Sequence, residues 1–362
     1  MTDSSRAFPL TREAVQGAHQ LIMPHIHRTP VFTSCTLSSL ASTPQSPTAL
    51  EGTAHEGHTP AHPGINLFFK CENYQRAGAF KSRGAFHALA RLSDEEVQRG
   101  VVTHSSGNHA QALALAARTR GIPAYVVMPA ISAPSKVSVT KAYGASVIPS
   151  GPTSQEREAV VAEVIQKTDA TLIPPYDHSD IILGQGTMAL EFEEQVREIP
   201  GGEQGLHAIV TPCGGGGMLS GVATAMLGTG THVFGAEPSF QGADDCRRGL
   251  ATGSRITTVK TLTIADGLRT PVGEIPWSVI SDPAKVRGMF AVSEEEIKRA
   301  MALVIERMKL LIEPSAAVPV AVVLFNEEFR KLVQEEGPWN VGVVLSGGNT
   351  TLEAIGKLFA AS

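Results

Sequence analysis

From residue 65 onward, short runs of β-branched, aliphatic and aromatic residues alternate with stretches in which apolar side chains recur every three or four positions. The runs 67–71, 101–103, 124–128, 146–148, 208–211, 233–236 and 341–345 are mostly apolar rather than alternating, which predicts buried strands. Between them, 111–120, 136–143, 156–167, 181–196 and 218–226 carry the helical period. Strand and helix in turn predict the α/β class with mainly parallel sheets. The plainest helix starts at Ser293, where Ser293 and Glu296 are spaced as a capping box ahead of Ile297, Met301, Val304, Ile305 and Met308. It is expected to end near Ile312, because Pro314 cannot continue it.

Residues 42–64 break the pattern. They hold four prolines and three glycines without periodicity and read as a surface loop or disordered insertion. His55, His58 and His62 would need a helical segment to share a metal, and that composition opposes one.

Composition narrows the function. A chain of 362 residues has room for about two domains. Thirty basic against 35 acidic residues leave a net charge of −5, which gives no electrostatic footprint for nucleic acid or an anionic membrane. A small-molecule partner is the better expectation. Cys35, Cys71, Cys213 and Cys246 are scattered and lack CxxC spacing, so no disulfide framework is expected and a reducing, cytoplasmic compartment fits. The start of the sequence has no apolar leader, and no apolar run approaches the ~18 residues of a membrane span.

Four clusters carry candidate chemistry. Lys81, beside Phe80 and small residues, leaves a strand for a helix; desolvation there would lower its pKa and free the amine as a nucleophile toward carbonyls. SSGNHAQ, residues 105–111, runs from a strand into a helix, so its amides can hold an anion. Gly214, Gly215, Gly216 and Gly217 follow a strand and precede a helix, which suits a phosphate monoester. A dinucleotide fingerprint ending at Glu237 competes, but its glycine register fails: the sixth position is Leu219 or Ser220. The fourth cluster is SGGN, 346–349, at a strand end.

Together, and in this order, FKxRGA, SSGNHAQ, GGGG and SGGN resemble the serine racemase and serine/threonine dehydratase family, fold-type-II pyridoxal-phosphate enzymes of the tryptophan-synthase-β type. The resemblance runs from about Arg28 to the C-terminal end, with only 42–64 apart. It implies two three-layer domains: a large cofactor domain of 1–99 and 178–362, and a small mobile substrate domain of 100–177.

The resemblance also implies roles. Lys81 would hold the cofactor as a Schiff base, with Phe80 beside it, and would take the α-proton. Gly214 to Gly217 and Met218 would cup the phosphate, Asn108 would meet the ring's 3-oxygen, and Ser346 would meet its nitrogen. Ser105, Ser106, Asn108 and His109 would bind the substrate carboxylate, and Ser106 would serve as acid on the face opposite Lys81. Glu158, next to Arg157, could assist Ser106 or be a solvated helix position. Arg157 and Thr270 are candidates for the substrate side chain. Glu237, the Ala243 carbonyl and Asp245 would bind Mg²⁺ or Ca²⁺, with Asp244 or a plain capped loop as alternatives.

The implied function is dehydration of L-serine or a related β-hydroxy amino acid to an oxo acid and ammonia, with racemisation of serine as a companion. Predominant racemisation and threo-3-hydroxyaspartate as substrate stay open, as do a silent cofactor-binding protein and a nicotinamide-dependent oxidoreductase. A homodimer is expected by resemblance.

Overall fold

The computed structural model describes residues 9–360. Among these residues ten strands form two sheets. The strands are β1 (Val31–Thr33), β2 (Ile65–Cys71), β3 (Val101–His104), β4 (Ala124–Pro129), β5 (Ser146–Ser150), β6 (Thr171–Leu172), β7 (Ala208–Pro212), β8 (His232–Pro238), β9 (Gly288–Val292) and β10 (Trp339–Leu345). The larger sheet has the order β1-β2-β10-β7-β8-β9, and the smaller β5-β4-β3-β6. Every pairing is parallel except β1 against β2.

The continuous apolar runs have a direct structural cause. In the larger sheet Phe69, Val210 and Val343 enter one core, while their neighbours Phe68, Ile209 and Val344 enter another on the opposite face. The smaller sheet repeats this, with Val101 and Val126 on one face and Val102 and Val127 on the other. Both faces of each sheet are therefore covered, and strands of this kind need no polar side.

The sequence-predicted elements recur at slightly greater length. The capping box at Ser293 and Glu296 forms, but the helix Glu294–Leu303 stops sooner than Pro314 requires. It widens into a π turn over Val304–Met308 and ends on Lys309 at φ 60°. The apolar stretch after it is itself a helix, Pro314–Phe325, buried along nearly its whole length with Pro319 inside it. The helix Arg12–Ile22, capped by Thr11, precedes the region where the strand–helix pattern becomes legible.

Residues 42–64 form an ordered loop. The Arg330 guanidinium, fully buried, donates to the carbonyls of Ala41, Thr43 and Ala61, and Glu327 accepts from the Ala61 amide and the Gln45 side chain. Nδ1 of His55 and of His58 lies 3.2 and 3.4 Å from Lys331 Nζ, so a side-chain cation sits where a metal would compete.

Candidate active site

Three neighbouring parallel strands, β2, β10 and β7, end on the same edge of the larger sheet, and each releases one chemical motif there. Past β2 the chain reaches Lys81, past β10 it reaches Ser346, and past β7 it reaches Gly214. Such carboxyl ends are where open parallel sheets bind ligands. β3 of the smaller sheet delivers Ser105, Ser106, Gly107 and the helix Asn108–Arg120.

Lys81 opens the helix Lys81–Ala90, held beside Ser346 by the Phe80 amide donating to the Ser346 carbonyl at 3.1 Å. Its Nζ donates to the Pro175 carbonyl at 2.6 Å and stands 5.0 Å from the Phe80 ring centroid. Burial lowers its pKa to about 8, against the pull of Glu313 toward the charged form. An amine so placed has a substantial neutral fraction near neutral pH.

Arg83, two residues on, anchors this helix in a buried charge cluster. Its guanidinium meets Glu72 and Glu191 at 2.7–2.8 Å, and Lys70 Nζ donates to Glu191 at 2.7 Å. Burial pushes the Glu191 carboxyl up, but Arg83 and Lys70 overcome it and hold the group at about 2. Two cations balance two anions, which is what permits full burial.

The glycine loop is a set of unpaired donors. Among the described residues, no protein acceptor takes the amides of Gly214, Gly215, Gly216 or Gly217. Gly215 packs under the Tyr176 ring so closely that a Cβ would lie 2.3 Å from its Cγ. Met218 is buried in the first turn that follows. Ser346, 3% exposed, presents a hydroxyl at the neighbouring strand end. An amine, a cradle of free amides at a helix start and a hydroxyl are the donor set that suits the aldehyde, phosphate and ring nitrogen of pyridoxal phosphate.

Asn108 joins the two halves. Its Nδ2 donates to Glu313 at 2.8 Å, and its Oδ1 accepts from Asn349 Nδ2 at 2.8 Å. Burial, with Asp266 adding to it, raises the Glu313 carboxyl to about 7. His109 is buried, and burial followed by the charge of Lys81 pushes its pKa down to about 3, so it stays neutral. Its Nε2 meets the Ile173 carbonyl at 3.1 Å, leaving its backbone amide rather than its ring for an anion. Ser105 and Ser106 are half-buried, and Ser105 Oγ accepts from the Gly107 amide.

The remaining expected residues lie further out. Arg157 is half-buried, donating to the Pro152 carbonyl at 3.1 Å; Glu158 is exposed on the helix Ser154–Thr168. Thr270 is exposed. Glu237 is fully buried, and its carboxylate accepts from the amides of Cys246 and Arg247 at 3.0 and 2.9 Å. At 0% exposure it is out of reach of a ribose, which removes the dinucleotide reading. Ala243 and Asp245 are buried as well, whereas Asp244 is paired with Arg247 and Arg248. Burial and then Asp245 raise the Glu237 carboxyl well above the usual range.

Sequence reasoning missed Glu313, Tyr176 and Pro175. Glu313 stands one residue before Pro314, an N-cap position, but nothing local says that its carboxyl reaches Asn108.

Comparisons with known proteins place the chain in a family. The family model for pyridoxal-phosphate dependent enzymes matches residues 47–347. The chain is 42% identical to the serine racemase of Arabidopsis thaliana over 96% of either chain. It is 38% identical to the beta-hydroxyaspartate dehydratase of Paracoccus denitrificans, covering 95% of this chain and 98% of that one. The solved structure of maize serine racemase superposes with a TM-score of 0.83 at 38% identity over 97% of both chains.

Proposed function

The chain belongs to the pyridoxal-phosphate dependent enzyme family, and from that premise we propose that it is a dehydratase of L-serine or a related β-hydroxy amino acid that also racemises serine. One observation carries the reaction type: the first side chain past β10 is the Ser346 hydroxyl rather than a carboxylate. A hydroxyl does not enforce protonation of the ring nitrogen, a setting for β-elimination and α-proton exchange rather than transamination.

When bound, pyridoxal phosphate supplies the electron sink for the pair left at the substrate Cα. Lys81, its amine tuned to about 8, holds the cofactor and takes the α-proton on its own face. The amides at the start of the helix Asn108–Arg120, with the Ser105 and Ser106 hydroxyls, bind the substrate carboxylate. Return of a proton by Ser106 on the far face gives the other enantiomer. Departure of the β-hydroxyl instead leads to the oxo acid and ammonia. Arg157 and Thr270, further out, are the residues assigned to the substrate side chain, where they would select among serine, threonine and threo-3-hydroxyaspartate. The small unit of 100–177 closes over substrate and excludes water. Mg²⁺ or Ca²⁺ at Glu237, Ala243 and Asp245, a cytoplasmic location and a homodimer complete the reading; no helix among the described residues is long and apolar enough to cross a membrane.

Incubation of the holoenzyme with L-serine, following pyruvate and D-serine together, tests this. Pyruvate with some D-serine is expected, and both are lost, with the visible absorption of the cofactor, in Lys81→Ala. Formation of neither product by the wild type overturns the assignment.

A further inference from the structure

Two cysteines that the chemistry above leaves unused meet just before the glycine loop. Cys213 follows β7 and immediately precedes Gly214; Cys246 lies in the first turn of the helix Asp245–Thr252. Both are 1% exposed, and Glu237 of β8 is buried with them. The register explains the meeting. β7 and β8 run parallel with Pro212 opposite Ala236, so Cys213 and Glu237 come next on adjacent chains, and the Cys213 amide donates to the Ala236 carbonyl at 2.8 Å. The Glu237 carboxylate then draws in the Cys246 amide at 3.0 Å and brings that side chain to the pair.

One ligand atom from each residue, Cys213 Sγ, Cys246 Sγ and a Glu237 oxygen, lies within 4.8 Å of the other two. In a tetrahedral zinc site, with Zn–S about 2.3 Å and Zn–O about 2.1 Å, ligand atoms stand about 3.5–3.8 Å apart, so a contraction of about 1 Å closes the three onto one ion. Two sulfurs and one oxygen select a thiophilic ion over Mg²⁺ or Ca²⁺, which take six or more oxygens. The backbone amides on Glu237 supply the orienting hydrogen bonds that ligating carboxylates need, and each oxygen keeps a lone pair.

We propose that Cys213, Glu237 and Cys246 form a binding site for a thiophilic divalent cation of the zinc type. Binding releases the two thiol protons to solvent and leaves two thiolates and one carboxylate on the ion. The ion ties the end of β7, the end of β8 and the Asp245–Thr252 helix together at the residue before Gly214. Because Glu237 also belongs to the oxygen-donor set with Ala243 and Asp245, a soft and a hard cation exclude each other.

Reduced, chelator-treated holoenzyme is titrated with Co²⁺ and then Zn²⁺. One Co²⁺ per chain is expected, with thiolate charge-transfer absorption and tetrahedral bands to the red of the cofactor, both erased by Zn²⁺. Cys213→Ser and Cys246→Ser should each cut the charge-transfer band per bound cobalt by about half and weaken binding by more than the ~10- to 100-fold that loss of a supporting contact costs; the exposed Cys35→Ser should change nothing. Absence of cobalt binding, a weak octahedral spectrum, or a band indifferent to both substitutions overturns the site. X-ray absorption at the zinc edge of the wild type, which requires no variant, should show two sulfur neighbours; oxygen and nitrogen alone overturn it. Neither readout depends on turnover, so a failed site and a failed reaction assignment are separable.

Discussion

Asn108 Nδ2 donates to Glu313 Oε1 at 2.8 Å, so the side chain expected at the cofactor's ring oxygen is held by a carboxyl that burial lifts to about 7. In the unfolded chain that carboxyl ionises near 4.5. Between these values the unfolded state loses a proton that the folded state keeps, so stability falls as pH rises from 4.5 to about 7 and is level above. The span is worth on the order of 3 kcal/mol. Urea midpoints of the cofactor-free protein at pH 5 and pH 8 should differ less in Glu313→Gln than in the wild type; equal pH dependence would show that Glu313 is ionised throughout.

Lys81 gives a kinetic counterpart. Its pKa of about 8 predicts that the rate of cofactor uptake by the cofactor-free protein climbs with pH and levels off just above 8. A rate still climbing at pH 10 would mean that the amine is an ordinary, solvated one.

Gly215 faces the Tyr176 ring with no room for a methyl group. Gly215→Ala should raise the Kd for pyridoxal phosphate at least about tenfold, a cost of about 1.4 kcal/mol. Fluorescence titration checks it, and Tyr176→Ala added to the same chain should recover part of the loss. If the double variant is no better, the glycine serves the loop's backbone and not the ring.

Arg83 holds Glu72 and Glu191 at once. Arg83→Met strands those two carboxylates against Lys70 alone, and a loss of about 3–5 kcal/mol is expected in urea denaturation. Arg83→Lys should not restore it, because an ammonium lacks the planar fork that meets both partners.

Ser106→Ala should suppress formation of D-serine from L-serine by about 100-fold or more while leaving pyruvate formation within a few-fold, measured on the same sample. Equal loss of both products would remove the two-face division of labour between Ser106 and Lys81.

Both-face burial of β2, β7 and β10 was legible because it leaves continuous apolar runs, and the four motifs because each sits where such a run ends. Glu313 was invisible for the opposite reason: its partner is 205 residues away and only tertiary packing joins them. The helix after Ser293 shows the limit of punctuation. Pro314 marks the latest point at which it can stop, whereas the π turn and Lys309 end it earlier. Residues 42–64 form the surface loop that their composition suggests, while the turn at Pro47–Leu50 and the partners the loop gives to Arg330 and Glu327 depend on packing that composition does not carry.

Arg330 and Glu327 are sealed from water, and the oxygens and amides that solvate them are largely supplied by the loop: the Thr43 and Ala61 carbonyls, the Ala61 amide and the Gln45 side chain. The segment is in effect a dry hydration shell for a buried ion pair. Shortening the loop would therefore strand two charges far along the chain without the groups that replace their water, so the loop and the pair Arg330–Glu327 stand or fall together in this fold.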